Sequence, residues 1–125
     1  VLVAIRKAYP GHARKVASAL WGMGQMMLTK TIIVVEDDVD VQNIAETAWV
    51  VFSNVDPERD IFTVKGPLDV LDHASPTPLY GSKAGVDATR KLPAEGHGRP
   101  WPAAIVMDET VVRRVTERWK EYGFS

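Results

Sequence analysis

One uninterrupted run of β-branched residues constrains the fold more than any other feature of this sequence. The run is Thr31-Ile-Ile-Val-Val35, and the acidic segment from Glu36 to Asp40 follows it directly. A strand that is apolar on both faces is typical of a parallel sheet that helices cover on both sides. The run therefore predicts a buried strand of an α/β domain.

The segments on either side of this run have the periods of a strand and of helices. Val1 to Arg6 is a short apolar strand that a Pro-Gly turn closes. From that turn to Leu28, apolar residues recur at three- and four-residue steps, as in an amphipathic helix. A second helical stripe extends from Val41 to Phe52, and Asp40 is placed to cap its first free N–H groups.

The second half of the chain is less regular. Its predicted elements are, in order, a turn at 56–60, a strand at Ile61 to Val64, a loop from Gly66 to Gly81, a short strand at Lys83 to Thr89 and a helix from Val111 to Tyr122. Asp108 is placed to cap that helix.

The order of these elements predicts the fold class. It is β-α-β-α-β, followed by a short later strand and a terminal helix, which implies an α/β fold with a mainly parallel β-sheet flanked by helices. A length of 125 residues fits a single domain. Because residue 1 is a Val that already reads as part of a strand, we expect a further segment to precede residues 1–125 in a longer chain.

Charge and composition exclude several classes of partner. Lys and Arg number 15 against 16 Asp and Glu, a net charge of −1 that disfavours nucleic acid. The apolar stretches are much shorter than the ~20 residues that a membrane span needs. The absence of Cys removes thiolate chemistry and disulfides and fits a reducing compartment, so we expect a cytoplasmic location.

Three acids after the central strand, Asp37, Asp38 and Asp40, could hold a divalent cation, since ligands of α/β proteins bind at the carboxyl ends of parallel strands. Capping and solvation are favoured over a metal because Asp40 already has a capping role. The acids also resemble the pocket of a phosphorylation-switched receiver domain. A receiver carries that pocket on its first strand, however, and here a strand precedes it, so neither a metal site nor a receiver is predicted.

The residues give no catalytic constellation. Asp72, His73 and Ser75 lie too close together in one segment to form a hydrolase triad. His12, His73 and His97 lack the spacing of metal ligands. From its residues alone, the chain is predicted to be an α/β domain without chemistry of its own.

Several ordered segments resemble the carboxy-terminal third of UbiD-family decarboxylases, which are 3-polyprenyl-4-hydroxybenzoate carboxy-lyase-like enzymes. The segments are Tyr9 to Ala13, Thr29 to Asp40, Val55 to Asp60, and Gly81 to Thr89. Each motif is weak alone, but their order and spacing together are specific. The segment from Asp72 to Pro76, with Trp101, Pro102 and Trp119, extends the likeness over essentially the whole chain.

The resemblance implies a lyase that decarboxylates an aromatic or unsaturated acid, with prenylated FMN to stabilise the carbanion that the loss of carbon dioxide leaves. In that family the flavin, its Mn²⁺ and K⁺ ions and the catalytic residues lie in the part before this chain. The resemblance thus implies a preceding flavin-binding domain as partner, a homo-oligomer, and an isolated fragment that binds no cofactor and is inactive.

The resemblance also assigns positions in this chain. Met27, Leu28, Pro67 and Leu68 are similar to positions that line the substrate pocket, and their apolar character suits an aromatic acid. Lys83 and Asp87 are expected to form an internal ion pair, in preference to a catalytic role. Gly24 stands where some relatives carry a basic residue, a departure from the family pattern that argues against a cofactor contact from that turn. The run from Gly66 to Ser75 favours quinone biosynthesis, for ubiquinone or menaquinone.

A stand-alone interaction or regulatory module with this fold remains the alternative. A domain that belongs to a larger enzyme is expected to expose an apolar surface that its partner covers, whereas a stand-alone module is not. Exposed apolar surface therefore discriminates between the two hypotheses.

Overall fold

A computed structural model of the chain describes residues 1–124. The strands are β1 (Leu2–Ile5), β2 (Thr31–Glu36), β3 (Ile61–Pro67) and β4 (Tyr80–Asp87), and the helices are α1 (His12–Trp21), α2 (Ile44–Asn54), α3 (Pro57–Asp60) and α4 (Glu109–Glu117). Short 3-10 turns occupy Gly24–Leu28, Pro93–Glu95 and Trp119–Tyr122. We call the first of them the 24–28 turn.

The strands form a four-stranded sheet in the order β1-β2-β4-β3. Strand β2 pairs in parallel with β1 and with β4. Strand β3 pairs antiparallel with β4, and in this register Phe62 of β3 lies directly opposite Gly85 of β4. The predicted α/β class with a mainly parallel sheet is confirmed. The later strand begins at Tyr80, three residues before the predicted start, and lies inside the sheet, which leaves β3 at the edge.

Helices cover β2 on both faces, as its composition predicts. Ile32 and Val34 pack with Ala13 and Ala17 of α1 on one face. On the other face Val35 packs in a second cluster, whose buried members also include Val39, Val50 and Ala88.

Two helix boundaries differ from the prediction. Helix α1 ends at Trp21, and Gly24, with φ of 39°, begins the separate 24–28 turn. The N-cap of α2 is Asn43, whose side chain accepts a hydrogen bond from the Glu46 N–H at 3.2 Å. The prediction that Asp40 caps this helix is wrong, because its carboxylate accepts instead from the Gln42 N–H in the preceding turn.

The last helix is capped as predicted, since the Asp108 carboxylate accepts a hydrogen bond from the Thr110 N–H at 2.8 Å. No residue of α4 is buried, although its apolar residues form one stripe. The helix therefore stands apart from the two cores of the sheet.

Candidate functional site

The sheet has two chemically different ends. Because β1, β2 and β4 are parallel, their carboxyl ends meet at one end of the sheet and their amino ends at the other. Strand β3 is antiparallel to β4 and pairs Pro67 with Tyr80, so the last residue of β3 lies at the amino end.

Charged side chains are buried at the carboxyl end. Lys7 Nζ lies 2.7 Å from Glu95 and 3.4 Å from Asp87, and Lys91 Nζ lies 3.2 Å from both Asp60 and Asp87. Each lysine side chain is only 1% exposed. We call these residues the ion-pair network. Since each buried ammonium faces carboxylates, the network holds its charges without bound ligands.

Asp60 is surrounded by donors. Arg59 donates to it from Nε at 2.8 Å and from Nη2 at 2.7 Å, and the Asp56 N–H donates at 2.9 Å. Burial by itself raises the pKa of Asp60, but the hydrogen bonds from Arg59 and Asp56 and the charge of Lys91 outweigh burial and lower the pKa. Asp60 is therefore ionised at neutral pH.

A cavity of about 150 Å³ lies beside the network. Asp60 and Lys91 line it, together with Arg14, whose guanidinium lies 4.0 Å from the centre of the Phe62 ring. The charged groups that face this cavity already pair with one another or lie against an aromatic ring, which is the arrangement of a structural core.

Two acidic residues after β2 form ion pairs with arginines. Asp37 lies 2.9 Å from Arg6, and Asp38 pairs with Arg90. Among residues 1–124, no three His, Asp or Glu side chains lie close enough together to hold a metal ion. The chemistry of this end of the sheet is thus ion pairing between side chains.

The amino end carries the apolar residues that the sequence assigns to a pocket wall. The 24–28 turn contacts β3, which places Met27 and Leu28 at the same end of the sheet as Pro67. Met27 is 42% exposed, Pro67 is exposed and Leu28 is half-buried. These residues therefore present an apolar surface at one end of the domain.

Leu68 differs from the other wall residues because it is 1% exposed. Its side chain packs over Gly81, where an added Cβ would lie 2.7 Å from the Leu68 Cδ1 atom. In this domain Leu68 lies beneath the surface, behind the exposed residues.

The expected ion pair between Lys83 and Asp87 does not form. Four residues of strand separate them, roughly 13 Å at about 3.3 Å per residue. Asp87 pairs with Lys7 and Lys91 at the carboxyl end. Lys83 points to the amino end, where its Nζ donates to the Met27 carbonyl.

Lys83 is buried, with 2% exposure. Its Nζ lies 5.9 Å from the centre of the Trp21 ring, and within residues 1–124 no carboxylate comes within ion-pair distance of it. Burial lowers the pKa of Lys83.

An organised loop at residues 68–79 joins β3 to β4 beside the wall. Ser75 Oγ lies within hydrogen-bonding distance of the carbonyl oxygens of Thr77 and Tyr80, one of which accepts its single proton, and Asp72 lies 2.8 Å from Lys30. Leu79 has a φ of 63°, a region that costs a non-glycine residue roughly 1–2 kcal/mol. Asp72 thus ties the loop to the residue before β2, and Ser75 holds the backbone of the loop and of the start of β4.

Sequence reasoning missed the ion-pair network. Lys7 follows β1, Asp87 ends β4 and Lys91 follows four residues later, so charged residues at the carboxyl ends of strands were the available signal. Asp60 lay inside a segment interpreted as a turn, and nothing in the sequence indicates that its side chain faces inward.

A broad groove of about 860 Å³ separates α2 from the extended segment at residues 99–106. Its lining residues include Trp49, Asn54, Arg90, Trp101 and Ile105.

Within residues 1–124, none of the helices has the length and apolar character required to cross a bilayer.

Comparison with known proteins identifies the family. Residues 1–88 match the family described as 3-octaprenyl-4-hydroxybenzoate carboxy-lyase C-terminal domain. The chain belongs to this UbiD carboxy-terminal domain family. The membership that its ordered motifs predict is therefore confirmed.

Among curated proteins, the chain is similar to an uncharacterised protein of Aeropyrum pernix, 52% identical over 124 residues, and to one of Aquifex aeolicus, 49% identical over 123 residues. These matches cover 98% of this chain but only 26% and 25% of the two relatives. The chain thus spans about a quarter of the length of these relatives.

Among solved structures, the vanillic acid decarboxylase of Sedimentibacter hydroxybenzoicus in its closed form superposes with a TM-score of 0.79 and 28% identity, over 96% of this chain and 25% of that one. The UbiD-class enzyme HmfF of Pelotomaculum thermopropionicum, in complex with FMN, gives a TM-score of 0.63 and 28% identity, over 80% of this chain and 23% of that one. The fold is therefore that of a domain found in UbiD-class decarboxylases.

Proposed function

We propose that this chain is the carboxy-terminal domain of a decarboxylase that acts on an aromatic or unsaturated acid without net oxidation. The observation that supports the proposal most strongly is that two apolar segments, around Met27 and around Pro67, converge at the amino end of the sheet. An apolar wall with few polar groups suits the ring of an aromatic acid. Membership of the UbiD family supports the same reaction class.

Prenylated FMN, with Mn²⁺ and K⁺, is the proposed cofactor of the full enzyme, and when bound it supplies the electron sink for the carbanion. The HmfF structures contain FMN or prFMN. The residues of this chain do not fit as a site for these groups. Residues 1–124 hold no cluster of metal ligands, and Gly24 has no side chain with which to reach a phosphate. We propose that the preceding flavin-binding domain of the full enzyme binds the cofactor and its ions.

The role proposed for this chain is to form one wall of the substrate pocket. Met27, Leu28 and Pro67 would contact the substrate and exclude water from its ring. Leu68 would support them from behind, since its side chain is buried against Gly81. Because the catalytic groups are proposed to lie in the preceding domain, we expect the 125-residue chain alone to be inactive even with prenylated FMN added.

The other proposed role is contact with the flavin-binding domain and with further copies in a homo-oligomer. Phe52 on the outer face of α2 is 87% exposed, and Ile105 and Val106, which line the groove, are 86% and 83% exposed. Large apolar side chains with this degree of exposure are candidates for surfaces that a partner covers.

The substrate is proposed to be an acid of quinone biosynthesis, for ubiquinone or menaquinone, in a cytoplasmic enzyme. The run from Gly66 to Ser75, which joins the wall to the loop, is the support for this choice. Carbon dioxide release by the full-length enzyme from a polyprenyl-hydroxybenzoate, a naphthoate and vanillate tests it. Turnover of vanillate alone would replace the quinone assignment with phenolic acid breakdown.

Substitution of the exposed wall residue tests the wall itself. In the full-length enzyme, Met27→Ala is expected to change the ratio of kcat/KM between a bulky and a small aromatic acid by about tenfold, since a lost side chain in an apolar pocket is worth about 1–3 kcal/mol. Met23→Ala is the matched control, because Met23 is 57% exposed and precedes the turn. An unchanged ratio in Met27→Ala would remove this domain from the pocket.

A further inference from the structure

Lys83 is a buried lysine whose Nζ has one hydrogen-bond acceptor among residues 1–124. Its residue is 2% exposed, and its Nζ donates to a main-chain carbonyl, that of Met27. The other buried lysines of the described chain, Lys7 and Lys91, each face two carboxylates. Lys83 therefore has a different role from that of the ion-pair network.

The position of Lys83 connects the two segments of the proposed wall. On one side its Nζ holds the carbonyl of Met27 in the 24–28 turn. On the other side its Cε lies under β3, so closely that a Cβ added to Gly66 would be 3.3 Å away. Trp21 covers the ammonium from a third direction.

Stability alone does not account for a lysine here. A buried ammonium without a carboxylate is costly, and burial lowers the pKa of Lys83 accordingly. An apolar side chain of similar volume would fill the same space without that cost. What an apolar side chain would not supply is the hydrogen bond to the Met27 carbonyl.

We propose that Lys83 is a positioning residue of the substrate pocket, which ties the 24–28 turn to the end of β3 and so fixes the distance between Met27 and Pro67. This inference rests on the proposed function of the wall. At 2% exposure the ammonium itself does not touch the substrate, and it acts through the turn that it holds.

Two variants of equal side-chain length separate positioning from simple packing. Lys83→Gln keeps an N–H donor, whereas Lys83→Met fills the site and donates nothing. Packing alone predicts that Met serves as well as Gln or better. Positioning predicts that only Gln retains part of the wild-type behaviour. Lys65→Met, at an exposed lysine of the neighbouring strand, is the control.

The experiment measures amide hydrogen exchange of residues 23–30 and the ratio of kcat/KM for a bulky and a small aromatic acid, both in the full-length enzyme. We expect Lys83→Met to exchange at least tenfold faster in that segment and to shift the ratio at least threefold, with an unchanged or higher Tm. Lys83→Gln should lie between Lys83→Met and wild type, and Lys65→Met should match wild type.

Unchanged exchange in Lys83→Met, or a Gln variant no better than Met, would overturn the proposal. Exchange does not depend on turnover, so the tie between Lys83 and the turn is tested even if the wild-type enzyme decarboxylates none of the acids. In that case the proposed function fails, and the exchange rates alone still show whether Lys83 holds the turn.

Discussion

Asp60 keeps its negative charge inside the protein because donors surround it. It is 4% exposed, and Arg59, Lys91 and the Asp56 N–H all reach it. Removal of one partner from a buried ion pair is costly because the other charge stays buried. The stability of the carboxyl end therefore depends on this one side chain more than on any surface pair.

Asp60→Asn is expected to lower the free energy of unfolding by about 3 kcal/mol, because Lys91 then keeps only one carboxylate. Urea unfolding of the chain, followed by tryptophan fluorescence, measures the change. Glu58→Gln, at an exposed neighbour in α3, is the control and should lie within about 0.5 kcal/mol of wild type. Equal losses in the two variants would contradict the importance of the network.

The contribution of Asp60 also predicts a pH dependence. Its pKa in the folded chain is lowered below the ordinary value of 3.8. A carboxylate of this kind stabilises the fold above its unfolded pKa, and the contribution is lost as the pH falls through the folded pKa. The stability difference between wild type and Asp60→Asn should therefore be full well above pH 3.8 and shrink below it. A difference that grows on acidification would contradict this sign.

At the scale of single elements, close approach between strands decides more than propensity does. Gly85 of β4 lies directly opposite Phe62 of β3, and a Cβ added to Gly85 would come 2.2 Å from the Phe62 ring. The glycine is thus required by the aromatic ring that packs over it.

Gly85→Ala is expected to destabilise the chain by about 1–3 kcal/mol, because the ring must move in a packed core. Gly98→Ala is the matched control, since a Cβ there would meet nothing within 4 Å. Thermal unfolding measures both variants. Addition of Phe62→Leu to Gly85→Ala should recover part of the loss, and a further loss would place the clash elsewhere.

The start of α2 gives a second prediction at this scale. Asn43→Ala is expected to cost about 1 kcal/mol, because the Asn43 side chain accepts from the Glu46 N–H. Asp40→Ala should cost less, because Asp40 accepts from Gln42 outside the helix. Urea unfolding distinguishes the two, and a larger cost for Asp40→Ala would restore it as the cap.

At the scale of the whole molecule, the described chain exposes several large apolar side chains. Trp49 and Phe52 of α2 are 56% and 87% exposed, and Met107 before α4 is 63% exposed. A partner that covers these residues would remove them from water, which is the expectation for one domain of a longer enzyme.

We expect the 125-residue chain to bind a hydrophobic dye and to self-associate, and the full-length protein to do neither at the same molar concentration. Dye fluorescence and light scattering measure the two effects. Trp49→Ser with Phe52→Ser should reduce both in the short chain. A dye-silent monomer of wild-type sequence would favour the alternative of a stand-alone module.

The sequence by itself determined the α/β class, the central strand and the family, because these depend on local patterns. A continuous apolar run, helical stripes and ordered motifs are all properties of neighbouring residues. For the same reason Asp108 was recognised as a cap, since its partner Thr110 is two residues away.

Only the tertiary structure decided which strands pair and which charges meet. Strand β4 enters between β2 and β3, although β3 precedes it in the chain, and Lys7 joins Asp87 across eighty residues. The same applies to Lys83, which on sequence alone pairs with Asp87 but in space holds Met27 at the other end of the sheet. Pairings of this kind depend on how the elements pack, because contacts between distant residues leave no trace in local periodicity.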